Sequence, residues 1–178
     1  MSAAYAVVPR VPRVLVVDDD PVNLMVMWAL LNSRGIDPLL AADGAEALTL
    51  TCELPFDLVF MDLQMPVLDG LGATSAIRRF ETQSSRIPVP VVAYSSLSPG
   101  ADVLAAHGLN GSLRKPCADQ ELDDCLLRGC PSYLSASGAT RLGMGLSNGN
   151  GNSNGNGNGN GTGHQRRAVS EPRATANG

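Results

Sequence analysis

The sequence predicts an α/β fold, a doubly wound five-stranded parallel sheet flanked by five helices, with a disordered C-terminal tail. Three observations carry the prediction. Short apolar runs alternate with stretches of helical periodicity five times between about residue 13 and residue 130. Val14 to Val17 and Leu58 to Met61 are apolar at every position rather than at alternate ones, which suits strands covered on both faces. The same two runs end in carboxylates, at the strand ends where open α/β sheets place their ligand sites.

The elements follow in order. Residues 1–12 hold Pro9 and Pro12 and no periodic pattern, so they read as a flexible leader. Val14 to Val17 is the first strand. Asp20-Pro21 supplies an N-cap and a Pro at the first helical position, and Val22, Met25, Val26, Ala29 and Leu30 recur at helical spacing up to a stop at Gly35. These residues are expected to face the core, with Trp28, Met25 and Met27 packed on or beside the same face. Ile36 to Ala41 reads as a second strand, and Asp43-Gly44 opens a second helix through Thr51. Leu58 to Met61 is the central strand, because Pro66 and the polar residues around it end the run. Gly70 releases the chain into a third helix that fades near Glu81, and Thr82 to Pro88 reads as a loop. Val89 to Tyr94 is a fourth strand, followed by a weaker helix from about Gly100 to His107. Gly111 to Arg114 is a short fifth strand, and Asp119 to Arg128 a fifth helix with Leu122, Cys125 and Leu126 inward. This gives a domain over residues 13–130.

From roughly Ser135 onward apolar periodicity fades, and Ser147 to Gly163 is mostly Asn and Gly. Such a segment buries too little apolar area to offset its ordering entropy, so 131–178 is expected to be disordered. No output domain is expected within it.

Composition narrows the function classes. A chain of 178 residues with 44% hydrophobic content suits one domain plus tails. Residues 1–134 carry nine Arg and Lys against sixteen Asp and Glu, which argues against nucleic-acid binding by the folded part. The four cysteines form no C-x-x-C pair and are read as reduced thiols. No secretory signal or membrane-length apolar stretch is present, so a cytoplasmic protein is expected. The Asn110 and Asn160 glycosylation triplets carry no weight in that setting.

The chemistry concentrates at the strand ends. Asp62 ends the central strand, and Asp18, Asp19 and Asp20 end the first. Two adjacent parallel strands would crowd these carboxylates, which repel unless a cation neutralises them. Lys115, the only lysine, stands after the fifth strand and before Pro116. One base among three acids suggests that an anion joins them. Taken singly, the Asp run could be a turn with a helix cap, Ser95 a turn former and Lys115 a surface residue. Independent turns, however, have no reason to place three acids, a hydroxyl and the sole lysine at one sheet edge.

Val16-Val17-Asp18-Asp19-Asp20, Met61-Asp62-Leu63-Gln64-Met65-Pro66 with Asp69-Gly70, Ala93-Tyr94-Ser95-Ser96 and Arg114-Lys115-Pro116 resemble, in order and spacing, the receiver domain of two-component response regulators. The likeness spans about residues 13 to 130. It implies the strand order 2-1-3-4-5 and a phosphoacceptor that is no enzyme beyond self-dephosphorylation. By the resemblance, Asp62 accepts the phosphoryl group and Mg²⁺ is the cofactor. Asp19 ligates the ion directly, Asp18 helps through water, and Asp62 and the backbone carbonyl of Gln64 complete the protein's share. Lys115 pairs with a phosphoryl oxygen and the Ser95 hydroxyl takes another, whereas Asp20 caps helix one. The expected partners are a sensor histidine kinase or a histidine phosphotransfer protein, with an unknown downstream protein target. A non-phosphorylated receiver-like adaptor and a receiver fragment of a hybrid histidine kinase are the alternatives.

Departures from the family pattern matter as well. Ser112 stands where many receivers carry an aromatic residue that swings inward on activation, and Ser96 stands where Ala is usual. Tyr94 is the nearest aromatic, and strand alternation points it away from the face of Ser95. Leu97 cannot orient an attacking water, so a long-lived phosphoryl group is expected. Arg78, Arg79, Arg86 and Arg114 are read as a solvated charged face, with a partner-docking rim as the alternative. In the tail, Arg166 to Pro172 around Ser170 resembles a basophilic kinase site.

Overall fold

The computed structural model of the chain describes residues 10–130 and Tyr133. Its element order is β1 (Val14–Val17), α1 (Pro21–Asn32), β2 (Leu39–Ala41), α2 (Gly44–Glu53), β3 (Leu58–Met61), α3 (Gly70–Gln83), β4 (Val91–Ser95), α4 (Ala101–His107), β5 (Gly111–Arg114) and α5 (Asp119–Gly129). The five strands form one parallel sheet in the order β2-β1-β3-β4-β5. This is the predicted doubly wound fold. The leader before Arg10, most of the segment after Cys130 and the Ser170 motif lie outside the described residues.

Alternation along the strands builds two core layers, one on each face of the sheet. Val14, Val16, Phe60, Val92 and Tyr94 point to the side of Met27 and Leu31 on α1 and Leu122, Cys125 and Leu126 on α5. Leu15, Val17, Val59, Met61 and Ala93 point to the side of Ala47 on α2 and Ala73 and Ile77 on α3. Every residue of β1, β3 and β4 is buried, as expected of strands covered on both faces. Helix α4 is the exception among the helices, since it buries no residue fully.

Several boundaries and faces differ from the sequence reading. β2 starts at Leu39 and not Ile36, because Pro38 has no N–H to give the ladder and the Asp37 carboxylate accepts from Trp28 Nε1 at 3.0 Å. Ile36 is still buried, its N–H donated to the Leu31 carbonyl at the end of α1. β4 begins after Pro90, since the N–H of Val89 goes to the Glu81 carboxylate. α3 runs on to Gln83.

The larger correction concerns α1. Its buried residues are Met27 and Leu31, whereas Val22, Met25, Val26 and Trp28 are exposed. The helix carries no charge and spreads apolar residues around its circumference, with only Asn23 and Asn32 polar, so periodicity could not choose a face; packing against β1 and α5 does. The arginines also divide. Arg78 is half-buried and donates to the Gly108 carbonyl, Glu81 and Asn110, tying α3 to the turn after α4. Arg86 donates to the Thr51 carbonyl and lies over the Phe80 ring. Neither is part of a free charged face.

Candidate phosphoacceptor site

Parallel pairing places the ends of β1 and β3 side by side, with Val17 opposite Met61. Asp18 and Asp62 each stand one residue beyond a strand and extend the ladder by a backbone bond, Asp18 N–H to Ala41 O and Asp62 N–H to Val17 O. Both carboxylates are buried, Asp18 completely and Asp62 to 5% exposure, while Asp19 is exposed. Carboxylate oxygens of Asp18, Asp19 and Asp62 lie within 4.8 Å of one another. Such an arrangement requires positive charge.

Lys115 supplies part of it. The residue follows β5, and its backbone N–H continues the ladder to the Ser95 carbonyl at 3.0 Å. Its Nζ reaches Asp18 Oδ2 at 2.5 Å and Asp62 Oδ2 at 2.7 Å, with the side chain only 10% exposed. Three carboxylates against one ammonium still leave the cluster negative.

The remaining bonds hold the acids in place. Asp18 Oδ1 accepts from the Asp20 N–H and from Asn23 Nδ2 at 3.0 and 3.1 Å. Asp62 Oδ1 accepts from the Gln64 N–H at 3.2 Å. Asp20 caps α1 by accepting from the Val22 N–H, as read from the sequence. Ser95 is buried at the end of β4, where its Oγ accepts from the Leu97 N–H at 3.3 Å. Asp18 Oδ2 is fully buried, and Lys115 Nζ at 2.5 Å is the one partner it meets among the described residues. Three carboxylates that converge on one point and share a single ammonium are a donor set that fits a hard divalent cation such as Mg²⁺.

Close packing fixes the acid at position 62 from behind. A Cβ at Gly70 would stand 1.9 Å from the Asp62 carbonyl oxygen, so only glycine lets α3 begin there. The intervening loop passes through Val67, which adopts a φ of 69°.

Residues 14–127 match the family model of the response regulator receiver domain. The chain belongs to that family. Among curated relatives of this receiver domain, the sensor histidine kinase GacS of Pseudomonas protegens is 37% identical over 134 residues, which is 74% of this chain and 15% of that kinase. The osmosensing histidine protein kinase SLN1 of Saccharomyces cerevisiae is 36% identical over 129 residues, 68% of this chain and 10% of that protein. The chain thus spans a small fraction of the length of the relatives it matches. Among solved structures, the receiver domain of the sensor histidine kinase PA1611 from Pseudomonas aeruginosa, with a magnesium ion in its active-site cleft, superposes with a TM-score of 0.59 at 34% identity, covering 67% of this chain and 98% of that one. The receiver domain of Ssk1 from Saccharomyces cerevisiae, crystallised with the phosphotransfer protein Ypd1, gives a TM-score of 0.60 at 31% identity over 71% of this chain and 94% of that one.

Of the residues singled out in the sequence, Asp18, Asp19, Asp62 and Lys115 meet in one cluster. Ser95 adjoins it through its backbone bond to Lys115, and Gln64 through its N–H to Asp62. Two contributors escaped the sequence reading. Asn23 follows Asp18 by five residues, so the signal was a polar residue in the first turn of an otherwise apolar helix. Tyr94 does point away from the face of Ser95, yet its ring centre lies 5.2 Å from Lys115 Nζ. No helix among the described residues is long and apolar enough to cross a membrane.

Proposed function

We propose that this receiver domain accepts a phosphoryl group on Asp62 from a phosphohistidine of a kinase or phosphotransfer protein. The observation that carries the reading is Asp62 itself, a buried carboxylate at the centre of the sheet edge, shared between a crowded acid cluster and one ammonium. A carboxylate oxygen attacks phosphorus, the O–P bond forms as the N–P bond to the donor imidazole breaks, and an acyl phosphate results. Asp18, Asp19, Asp62 and the Gln64 carbonyl are the groups that would hold Mg²⁺, which would supply positive charge against the carboxylates and the incoming phosphoryl oxygens. Lys115 exchanges its contact with Asp62 for a phosphoryl oxygen. Ser95 releases the Leu97 N–H and donates its hydroxyl to another.

The exposed side of α1 supports a protein as the phosphoryl donor. That helix starts directly after the acids and presents Val22, at 65% exposure, and Met25, at 70%, without a single charge. An uncharged apolar face beside a reactive carboxylate suits docking of another protein. Ssk1, a similar receiver, is held by a phosphotransfer protein in its co-crystal structure. Output through protein contact is supported at α4, the helix with least burial and so the one a new bond at Ser95 can shift most cheaply. The exposed Leu97 has no polar group with which to direct water at the acyl phosphate, so the phosphoryl group is long-lived.

The segments of GacS and SLN1 that match are parts of much longer kinases, and this favours one second reading, a receiver belonging to a hybrid histidine kinase. Labelling the chain with a phosphorylated phosphotransfer protein tests the main reading. Wild type is expected to acquire a hydroxylamine-labile label and Asp62→Asn none. Equal labelling of both rejects Asp62 as acceptor, and no labelling of either points to an adaptor that works through constitutive contacts.

A further inference from the structure

Tyr94 is the fourth residue of β4 and is 2% exposed within the core layer shared with α1 and α5. It would pass for core filling were it not for the ammonium over its ring. Pairing of β4 with β5 sets Tyr94 opposite Leu113 and Ser95 opposite Arg114, so Lys115 emerges one step beyond, and its Nζ stands 5.2 Å from the Tyr94 ring centre. The phenol is neutral at any ordinary pH, since burial, with help from nearby Cys117 and Asp18, pushes it up to about 12.

We propose that the Tyr94 ring is a positioning residue for Lys115, keeping the ammonium aimed at Asp62 once a divalent cation has claimed the carboxylates. The proposal rests on the phosphoacceptor reading above. Lys115 has three attractions in this structure: Asp18 Oδ2, Asp62 Oδ2 and the ring face. The first two belong to residues of the acid cluster on which a divalent cation would draw, and a bound cation also repels the ammonium. The ring is the one partner for which a metal ion does not compete. Because the Lys115 side chain is only 10% exposed, little water weakens the attraction between ammonium and ring quadrupole. A four-carbon stem has many rotamers, and a fixed aromatic face selects the one that a phosphoryl oxygen will meet. This arrangement does not need an aromatic at Ser112, which is exposed on β5.

The test titrates beryllofluoride, a phosphoryl mimic, into the full chain saturated with Mg²⁺ and reads affinity by calorimetry. Tyr94→Phe, which keeps the ring, is expected to bind like wild type, and Tyr94→Leu about tenfold more weakly. Pentafluorophenylalanine at position 94 keeps the ring's shape and reverses the charge of its face; it is expected to behave like the Leu variant, and it decides the matter alone if Tyr94→Leu fails to fold. Affinity for Mg²⁺ itself is expected to fall in none of these variants. The ε-methylene protons of Lys115 are expected upfield in the NMR spectrum of wild type and Tyr94→Phe, and to stay there after Mg²⁺ is added. Unchanged beryllofluoride affinity in the Leu or pentafluoro variant, or loss of the upfield shift on adding Mg²⁺, overturns the proposal. A wild-type chain that binds no beryllofluoride overturns the phosphoacceptor reading, and the role of Tyr94 with it.

Discussion

The ammonium of Lys115 lies 2.7 Å from Oδ2 of Asp62, although 53 residues of chain separate the two. The pair is largely buried, and its electrostatics extend to Asp18. Lys115→Met would leave three carboxylates without a cation, an imbalance of the kind that costs about 3 kcal/mol when one partner of a buried pair is removed. Urea unfolding without metal is expected to show that loss. Added Mg²⁺ is expected to stabilise the variant more than wild type, because the ion no longer competes with Lys115. Equal stabilisation of both by Mg²⁺ would mean that Lys115 and the metal draw on different oxygens.

Gly70→Ala is expected to destabilise by more than about 3 kcal/mol and to disturb Asp62. The added methyl would meet the Asp62 carbonyl oxygen at 1.9 Å and Met61 Cγ at 2.9 Å, and backbone in the core gives way poorly. Urea melts together with the amide shift of Asp62 check this. A loss below about 1 kcal/mol would show that α3 can start elsewhere.

Val67 makes the opposite prediction. It is a β-branched residue at φ 69° and 87% exposed, so its side chain gains no burial in return for the strain. Val67→Gly is expected to stabilise by about 1 kcal/mol, the left-handed strain relieved minus the entropy of glycine. A thermal melt that falls in temperature would contradict it.

Stability is expected to decline at alkaline pH. Burial, the leading cause in each case, raises Cys125 from 9.0 to about 11, Cys130 from 9.0 to about 12 and Tyr94 from 10.0 to about 12. As pH rises past about 9 the unfolded chain loses these protons first, so the native state binds more of them and unfolding becomes easier. The contribution is complete below pH about 9 and lost through about 12, at about 1.4 kcal/mol per pH unit for each group inside its window. Urea midpoints between pH about 8 and 11 measure the slope, and Cys130→Ala is expected to flatten its first part. A midpoint that holds steady across that range would show that these groups are not buried as described.

How far the sequence could be read depended on how local each signal was. Apolar runs ending in Asp18 and Asp62 announced their strands because burial on both faces and the stop that follows are written in adjacent residues. The caps at Asp20, Asp43 and Asp69 were within reach for the same reason, since each accepts from an N–H two or three residues on. Helix α1 resisted, because twelve residues with no charge give no amphipathic phase. Arg78 resisted too, as its partners Gly108 and Asn110 lie about thirty residues away.

By itself the sequence determined five strands, five helices, and which acids and which single lysine belong at the sheet edge. Each of those follows from the chemistry of neighbouring residues, and the family pattern then orders the strands. The tertiary structure alone decided that Asp18 would be wholly buried, that Lys115 would bridge it to Asp62, and that Tyr94 would lie beneath that ammonium. Those relations depend on strand register and on which face of each helix wins the core. Register and packing are settled between segments distant in the chain, where no local pattern reaches.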